Sequence, residues 1–535
     1  MKATLRTATA ALTLITTLAA AALTLITTPA AAAPPADFDA RVEALRKQFG
    51  VPGASIAIVE NGKQTLAKGY GVRRLGSPEP VDADTIMTIG STTKAFTVAD
   101  LALLVDQGRI RWDDKVIDHM PWFQMYDPWV TREMTIRDLL VHRSGLGLGQ
   151  GDLLFVPRST LGRKEAIERL RYIKPKTSFR SAYAYDNILY MAAGQLIEEV
   201  TGETWEKFTR DHLLRPAGMM HSTSDDASFL ATANRAQPHA RINGAMRGLG
   251  DQEVLNERSR LAGNNLPAGG ISASANDFSR WLIIQLGHGA LPEGGRLFSE
   301  AAASEMWNPV VIIPTKPRGG PLGPLQPMFS TYALGWDVQD YRGAKLVSHS
   351  GAVFGFLTIV ALLPDKNVGF SIIINSEDGV FVRGLMYELL DHYLGLPRTD
   401  WATLYQKSVQ DQRARALAAL QTAQAPPAKV GPTLPLTGYA GDYADPWYGP
   451  LAIRYEGGKL RVDFKHTPGM TGTLEHYQYD SFRTVLDDRS IEAPYLNFGI
   501  GPDGKVEHIT LKAVSPLADF SYDYQDLLFT PVPGK

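Results

Sequence analysis

Runs of apolar and alternating positions predict strands at both ends of a long N-terminal region. The stretch GASIAIVENGKQTLAKGYGV, from Gly53, predicts two strands joined by an Asn61-Gly62 turn, which is a strong hairpin signal. Near the other end, AKLVSHSG and GFLTIVALLPDKNVGFSIIINS predict further strands with a Pro-Asp-Lys-Asn turn between two of them. We therefore expect residues 34–395 to contain one sheet built from both ends of this region.

Helical patterns fill the chain between these strands. The apolar run after Ser91 has little polar face before Asp106, which predicts a central and buried helix. The stretch NILYMAAGQLIEEVTG predicts a second helix that Gly202 ends. Residues 34–395 are therefore expected to form a mixed α/β body with a helical part.

The pattern changes after residue 395. Residues 396–435 contain an Ala/Gln/Arg-rich stretch that predicts a helix, followed by the proline-rich linker APPAKVGPTLP. Residues 436–535 alternate apolar and polar positions around Gly-Gly and Asp-Gly turns, as in LAIRYEGGKLRVDF. This last part is expected to be a small antiparallel β domain, either a barrel or a sandwich.

The first residues have a different layout. Lys2 and Arg6 precede a Leu/Ile/Ala/Thr run that ends in small residues before Pro34. Such a layout is typical of a signal peptide, so we expect residues 1–33 to be removed and the protein to be secreted or periplasmic. An uncleaved membrane anchor is the alternative, which the many threonines and the alanine run disfavour. The chain has no cysteine, so an exported protein must gain its stability from its core.

Composition limits the partners of the chain. The 54 basic residues nearly balance the 56 acidic ones. A net charge of −2 gives no indication of a basic surface that would bind nucleic acid or an anionic membrane. No later segment has about 18 consecutive apolar residues, so no membrane span is expected in the mature chain. Small molecules and peptides are left as the expected partners, and the sequence leaves the oligomeric state open.

Ser91 and Lys94 are the first candidates for chemistry. In MTIGSTTKAFT the serine lies at the first turn of the predicted helix, and the lysine three residues later shares its face. A helix N-terminus offers free N–H groups to a developing oxyanion, and a buried lysine with a lowered pKa can take the proton of a serine. The alternative is a capping serine and a lysine that extends into solvent. One S-x-x-K is expected by chance in a chain of about this length.

Tyr185 and Asn187, in YAYDNILY, are the second pair. Their spacing points both side chains the same way from an extended segment just before a helix. A nearby lysine ammonium would lower the pKa of the tyrosine, and the asparagine could hold both the lysine and a substrate carbonyl. A core tyrosine with a capping asparagine is the alternative, because Tyr-x-Asn also occurs at Tyr495.

His349 and Gly351, in VSHSGAVFGF, form the third motif at the end of an apolar strand. A strand that runs beside the nucleophile could offer backbone N–H groups to the substrate. The alternative is a histidine that simply lies in a turn.

The three motifs together resemble those of the β-lactamase and penicillin-binding-protein superfamily, in its branch with Tyr-x-Asn and a His-x-Gly third motif. The resemblance covers about residues 38–395 and includes the wider phrases TIRDLLVHRSGL and PAGGISASANDFSRWL. It implies a β-lactamase/transpeptidase-like sheet flanked by helices, with a helical subdomain. The last hundred residues are similar to the lipocalin-like domain of some serine hydrolases of this group. Its role stays open among ligand binding, self-association and closure over a cleft, for which His476 is a candidate.

The resemblance also implies the roles of the site residues, without metal or cofactor. Ser91 would be the nucleophile of an acyl transfer, with Lys94 and Tyr185 sharing general-base and general-acid work. Which of the two takes the first proton stays open, because coupled groups titrate as a pair. The backbone N–H groups of Ser91 and Ala352 would form the oxyanion hole. The expected substrate and oxyanion contacts are Asn187, His349, Gly351 and Ala352.

The third motif departs from the Lys-Thr-Gly of β-lactamases and many D,D-peptidases. His349 would be mostly neutral at pH 7 and could not hold a substrate carboxylate as a lysine does, unless an arginine substitutes. We therefore expect amide or ester substrates without that carboxylate, as for the D-aminopeptidases, related peptidases and some esterases of the family. The alternatives are a weak β-lactamase or D,D-carboxypeptidase, and a non-catalytic protein that binds penicillin or cell-wall peptides. The sequence has no G-x-S-x-G and no H-x-H or H-E-x-x-H, which disfavours an α/β-hydrolase and a zinc hydrolase.

Overall fold

The larger part of the fold is built around one sheet. The computed structural model describes residues 33–257, 263–424 and 430–533, so the predicted signal peptide, except Ala33, lies outside the described residues. We call residues 34–395 the α/β part. Its strands β1 to β12 span Gly53–Glu60, Lys63–Gly71, Met87–Thr88, His239–Arg241, Gln252–Val254, Ser272–Ala273, Val311–Ile312, Ser330–Tyr332, Asp337–Tyr341, Ala344–Val353, Phe356–Leu363 and Val368–Ile374.

The main sheet has eight strands in the order β2-β1-β12-β11-β10-β9-β8-β7. Strand β1, near the start of the chain, pairs antiparallel with β12, more than 300 residues later, with Ala54 opposite Ile374. The expectation of one sheet built from both ends is therefore confirmed. Asn61 and Gly62 join β1 to β2 with φ angles of 51° and 73°, the backbone that a two-residue hairpin turn requires.

Helices cover both faces of this sheet. In the described residues, helices α1 to α14 span Phe38–Phe49, Thr93–Asp106, Val116–His119, Pro128–Glu133, Ile136–Leu140, Arg163–Glu168, Ile188–Thr201, Trp205–Phe208, Asp226–Ala231, Leu266–Gly269, Ala275–Leu286, Glu300–Met306, Gly379–Tyr393 and Trp401–Gln424. Helices α1 and α13 share one apolar core with the sheet, and α2, α7 and α11 share the other. Strand β1 is buried along its whole length because helices cover both of its faces.

The helices expected from the sequence are present. All residues of α2 from Thr93 to Leu104 are buried, which confirms the central position of this helix. Gly202 ends α7 in the left-handed conformation, with φ of 76°. The Ala/Gln/Arg-rich stretch forms α14. None of the helices within the described ranges is both long and apolar enough to cross a bilayer.

The C-terminal β domain is a closed barrel. Its strands β13 to β20 span Gly441–Asp445, Gly449–Glu456, Lys459–Phe464, Thr471–Gln478, Ser481–Leu486, Pro494–Ile500, Val506–Ala513 and Leu528–Pro531, and they close in chain order. Of the two architectures that the sequence allowed, the barrel is therefore the one formed. Packed aromatic rings occupy its interior, with Tyr439 4.9 Å from Phe498 and Tyr448 5.9 Å from Phe464, measured between ring centroids.

The barrel packs against the α/β part through specific hydrogen bonds. The Arg169 guanidinium donates to the backbone carbonyl of Tyr448 at 3.0 Å. Residues 514–527, which we call the β19–β20 connection, supply further contacts. Within this connection the Asp523 carboxylate accepts the Gly151 N–H at 2.6 Å. The connection therefore joins the barrel to the loop that follows α5.

Candidate active site

Ser91 lies in the 3₁₀ turn Gly90–Thr92 that leads into α2. Amides in the first turn of a helix have no acceptor within it, and they carry the positive end of the helix dipole. Ser91 is partly buried and lines a cavity of about 590 Å³. The N-cap positions here are Ile89 and Thr92, so Ser91 is not a capping residue.

Lys94 is completely buried beneath Ser91. Its Nζ lies 3.0 Å from Ser91 Oγ, 2.7 Å from Asn187 Oδ1 and 3.0 Å from the Ala268 carbonyl oxygen. Burial lowers the pKa of Lys94 to about 7, although nearby carboxyls act in the opposite direction. The alternative of a lysine extended into solvent therefore does not describe this side chain.

The partners of Lys94 determine which atoms can exchange a proton. The Ala268 carbonyl can only accept a hydrogen bond, and Asn187 Oδ1 also accepts, because Asn187 Nδ2 donates to Asp152. These two acceptors use both N–H groups of a neutral lysine amine. Its lone pair is then left for the third neighbour, the Ser91 hydroxyl. The neutral form of Lys94 is therefore arranged to receive the serine proton.

Tyr185 also contacts the serine. Its hydroxyl makes a hydrogen bond with Ser91, and its ring centroid lies 4.9 Å from Lys94 Nζ. The His142 ring packs on it at 4.2 Å between centroids. Burial raises the pKa of Tyr185 well above its ordinary value, so the expected lowering by Lys94 is wrong. The phenol therefore keeps its proton at neutral pH and can act as a donor.

Asn187 links the lysine to the barrel. Its Nδ2 donates to Asp152 Oδ2 at 2.8 Å, and the Ser521 hydroxyl donates to the same oxygen at 2.7 Å. Ser521 belongs to the β19–β20 connection. A continuous chain of hydrogen bonds therefore runs from Lys94 through Asn187 and Asp152 to a barrel residue. The second N–H of Asn187 is left for the substrate carbonyl that the sequence analysis suggested.

Two buried carboxyls lie near Lys94, and one of them, Asp152, is part of this chain of hydrogen bonds. Burial raises the pKa of both Asp152 and Asp186 to about 7, while the nearby Lys94 acts to lower each value. Ser144 donates to Asp186 at 3.2 Å. Because all three groups titrate near pH 7 and interact, their protons are lost in steps that belong to the set.

His349 is a buried and neutral histidine. Its Nδ1 lies 2.6 Å from the Ser350 carbonyl, which can only accept, so Nδ1 carries the proton. Nε2 then accepts a hydrogen bond from the Tyr332 hydroxyl at 2.9 Å. Burial, followed by the charge of Lys94, lowers the pKa of His349 to about 3. The third motif therefore places no positive charge in the cavity.

The glycine of the third motif allows β10 to contact the 3₁₀ turn that contains Ser91. A Cβ on Gly351 would lie 2.0 Å from the Ile89 carbonyl oxygen and 3.0 Å from the Ser91 nitrogen. Gly90, at φ of 54°, approaches from the other side, and a Cβ there would lie 2.7 Å from the Ala352 nitrogen. Only residues without a side chain fit such backbone contact. The amides of Ser91 and Ala352 are thereby brought next to each other.

The cavity is bounded by both parts of the chain. From the α/β part, Ser91, Tyr185, Asn187, His349 and Ala352 line it. From the barrel come Leu517, Asp519, Phe520, Ser521 and Tyr522 of the β19–β20 connection, together with Glu492. Its charged lining residues are Asp226, Asp337, Glu377, Glu492, Asp519, Arg158 and Arg247.

One residue that the sequence analysis considered for the cleft is not there. His476 donates to the Tyr479 carbonyl within the barrel and does not line the cavity.

Sequence reasoning did not single out several residues that surround Lys94 and Tyr185. Ala268 falls in the phrase PAGGISASANDFSRWL and His142 in TIRDLLVHRSGL, so the resemblance marked their surroundings. Asp152 and Ser521 stand in no motif, and no local pattern in the sequence indicates them.

The sequence matches two described families. Residues 38–394 match the Beta-lactamase family, and residues 425–531 match a domain of unknown function, DUF3471. The second match covers the barrel. The first covers the seven residues of the three motifs and the expected oxyanion hole.

Individual proteins similar to the chain extend this comparison. The chain is 29% identical over 484 residues to the unguisins hydrolase of Aspergillus violaceofuscus. The matched region covers 84% of this chain and 82% of that protein. It is 28% identical to penicillin-binding protein 4 of Amycolatopsis lactamdurans, covering 68% of this chain and 91% of that one. The fold is similar to that of the octameric penicillin-binding protein homologue from Pyrococcus abyssi, with a TM-score of 0.54 and 20% identity over 92% of this chain and 99% of that chain.

Proposed function

Because this chain belongs to the Beta-lactamase family, whose members are serine hydrolases, we propose that it cleaves amide or ester bonds through an acyl-enzyme on Ser91. The observation that carries the proposal is the position of Lys94. Its amine is buried, its pKa is about 7, and its two acceptor-only neighbours direct the lone pair to the Ser91 hydroxyl. A lysine in such surroundings activates a serine at neutral pH.

The proposed reaction has two steps. In the first, Ser91 Oγ forms a bond to the substrate carbonyl carbon while its proton passes to Lys94. The bond to the leaving amine or alcohol then breaks, and that group takes a proton from Lys94 or Tyr185. In the second step, water adds to the acyl carbon, its proton returns through the same groups, and the bond to Ser91 breaks. Lys94 is the first base in this scheme, because Tyr185 keeps its own proton at neutral pH.

Two backbone amides support the oxyanion. The N–H groups of Ser91 and Ala352 are the proposed donors, because the contact between Gly351 and the turn brings the two backbones together. Donors of this kind, fixed before the reaction, stabilise the negative charge that develops on the carbonyl oxygen. The positive end of α2 acts in the same direction.

The third motif favours substrates without a carboxylate beside the scissile bond. His349 is neutral and buried, so it offers no charge to such a group. Arg247 lines the cavity but is held by Glu377 through two hydrogen bonds of 2.8 and 2.6 Å. Arg158 also lines the cavity, and its side chain is exposed to solvent. We therefore propose peptidase or esterase activity in preference to β-lactamase or D,D-carboxypeptidase activity.

Covalent labelling tests the nucleophile. A fluorophosphonate probe should label the purified protein, and Ser91→Ala should abolish the label while far-ultraviolet circular dichroism stays unchanged. Intact mass should increase by the mass of one phosphonyl group, located on the peptide that contains Ser91. An unlabelled but folded wild-type protein would instead support a protein that binds cell-wall peptides without catalysis.

A substrate panel tests the preference. We expect p-nitrophenyl esters or D-amino-acid amides to be hydrolysed with a higher kcat/KM than nitrocefin. Efficient turnover of nitrocefin and penicillin, at the level of dedicated β-lactamases, would contradict the proposal on substrates but leave the nucleophile in place.

We also propose that the chain is exported and loses residues 1–33. The support is the layout of Lys2, Arg6, the apolar run and the small residues before Pro34. N-terminal sequencing of the protein from the extracellular or periplasmic fraction should begin near Pro34. An intact Met1 on membrane-bound protein would instead indicate an anchor.

A further inference from the structure

Asp337 is a carboxylate inside the catalytic cavity that the reaction scheme does not use. It begins β9, and its backbone pairs with Ser348 on β10 and with Tyr332 on β8. Ser348 immediately precedes His349, and Tyr332 donates to the His349 ring. Asp337 is therefore fixed by the sheet next to the third motif, and it lines the same cavity as Ser91.

No group in the described part of the chain pairs with this carboxylate. None of the hydrogen bonds or ion pairs found there reaches Asp337, although its side chain is partly buried. Burial alone raises the pKa of Asp337 to about 7. An ionised carboxylate held out of water without a partner destabilises the folded protein, and either a proton or a cation that arrives with a ligand relieves that cost.

The other acidic residues of the cavity lack this combination. Glu377 is paired with Arg247, and the charge of the same arginine also acts to lower the pKa of Glu492. Asp226 has an interaction partner of its own. Asp519 is exposed and accepts the Ser521 N–H at 3.0 Å. Within the described residues that line the cavity, Asp337 therefore combines partial burial with no nearby cation.

The surroundings of Asp337 suit a positive charge. The Tyr183 hydroxyl is close enough for the Asp337 charge to raise its pKa, after the larger effect of burial. The Tyr183 ring lines the cavity, and its centroid lies 6.0 Å from that of the buried Tyr332, which contacts His349. Aromatic faces attract cations, and the neutral His349 adds no repulsion.

We propose that Asp337 is a specificity-determining residue that binds a positively charged amine of the substrate. The inference rests on the proposed hydrolase function and adds the substrate class, which is cationic amides or esters. The same carboxylate repels a substrate carboxylate at this position. The site therefore selects by charge on the side of the cavity that the third motif borders.

Matched substrates test the inference. A series of p-nitrophenyl esters with two- to six-carbon acyl chains is prepared in three forms, ending in an ammonium, a methyl or a carboxylate group. A parallel series of anilides carries the charged group on the leaving side. At the best chain length we expect kcat/KM for the ammonium form to exceed that of the methyl form by about 10- to 100-fold, the effect of one hydrogen bond to a charged group.

Variants assign this preference to Asp337. In Asp337→Asn, the ratio of kcat/KM for the ammonium form to kcat/KM for the methyl form should fall to near one. Asp519→Asn removes an exposed carboxylate from the same cavity and should keep the wild-type ratio. If both variants reduce the ratio equally, or if the wild-type ratio is near one, the assignment to Asp337 is wrong. If the wild-type protein hydrolyses none of the esters, the proposed function is contradicted instead.

A binding measurement keeps the two proposals separate. Calorimetric titration of Ser91→Ala with n-butylammonium and with n-butanol needs no turnover. We expect the ammonium to bind at least tenfold more tightly than the alcohol, and Ser91→Ala/Asp337→Asn to lose that difference. Equal binding of the two compounds would overturn the inference even if the wild-type enzyme hydrolyses neutral esters.

Discussion

At the scale of single residues, the chemistry depends on where protons reside. Lys94 is buried away from water, so its ammonium form loses hydration and its pKa falls to about 7. Tyr185 is buried beside it, and the same physical effect raises the pKa of its phenol. One environment therefore produces a neutral amine that can accept a proton and a neutral phenol that can donate one.

The pH dependence of turnover tests this assignment. Lys94 must be neutral to accept the serine proton, so we expect kcat/KM for p-nitrophenyl acetate to rise with pH through about 7 and then level off. Below the pKa, activity should fall about tenfold per pH unit, because the neutral fraction does so. Stopped-flow hydrolysis between pH 5 and 9 measures the profile.

The control for this profile is Lys94→Ala, which should keep its fold and lose both the activity and the acid limb. A wild-type profile that is flat between pH 5.5 and 8 would show that no group with a pKa near 7 is the base.

At the scale of elements, the site is formed where separate segments touch. The turn before α2 supplies Ser91, the start of α7 supplies Asn187, and β10 supplies the third motif. Gly90 and Gly351 allow the turn and β10 to approach at backbone distance. The β19–β20 connection then completes the set, because Ser521 donates to Asp152.

Ser521→Ala tests the role of this connection as a positioning element. The Ser521 hydroxyl lowers the pKa of Asp152, so its removal should leave Asp152 more protonated at pH 7. A protonated Asp152 no longer favours the ammonium form of Lys94. We therefore expect the acid limb of kcat/KM to move to lower pH by about half a unit, equivalent to about 0.7 kcal/mol.

A matched variant separates this effect from a looser interface. Thr160→Ala removes a hydrogen bond between Thr160 and His466 that also joins the two parts of the chain but does not lead to Lys94. It should leave the acid limb in place. An equal shift in both variants, or no shift in Ser521→Ala, would show that the chain of hydrogen bonds does not tune the lysine.

At the scale of the whole molecule, the α/β part and the barrel share one cavity. The described residues form one compact unit, and the buried Asp523 of the barrel accepts N–H groups of Gly151 and Leu153. Packed aromatic rings occupy the barrel interior, while the β19–β20 connection lines the cavity. Of the roles left open by the sequence, a contribution to the cleft is therefore the one with structural support.

Truncation after residue 430 tests this contribution. Removal of the barrel leaves Asp152 without Ser521 and leaves two buried amides without their acceptor. We expect kcat/KM for a neutral ester to fall on the order of tenfold, because a lost hydrogen bond of this kind costs about 1 to 2 kcal/mol. The melting temperature should also fall.

The control is full-length protein that is cut at a protease site placed within residues 425–429. In this cut protein the barrel should stay bound to the α/β part, and esterase activity should be kept. Unchanged activity and stability of the truncated protein would show that the barrel does not support the site.

The sequence predicted most of the fold because local patterns control local structure. The Asn61-Gly62 turn, the Gly202 helix end and the buried run of α2 were all found where the patterns placed them. The nucleophile motifs were recognisable because a serine and a lysine one helical turn apart share a face. The direction of the Tyr185 pKa was predicted wrongly, because the extent of burial around a side chain has no local signature.

The sequence by itself determined the α/β class, the β-rich C-terminal domain and the positions of the three motifs, since each depends on residues close together in the chain. Only the tertiary structure decided that the β domain closes into a barrel, that Asp337 and Ser521 line the cavity, and that the buried Asp152 links Ser521 to Asn187. Ser521 and Asp152 are 369 positions apart and meet through one hydrogen bond. Contacts over such separations follow from packing of the whole chain, and they leave no periodic pattern along it.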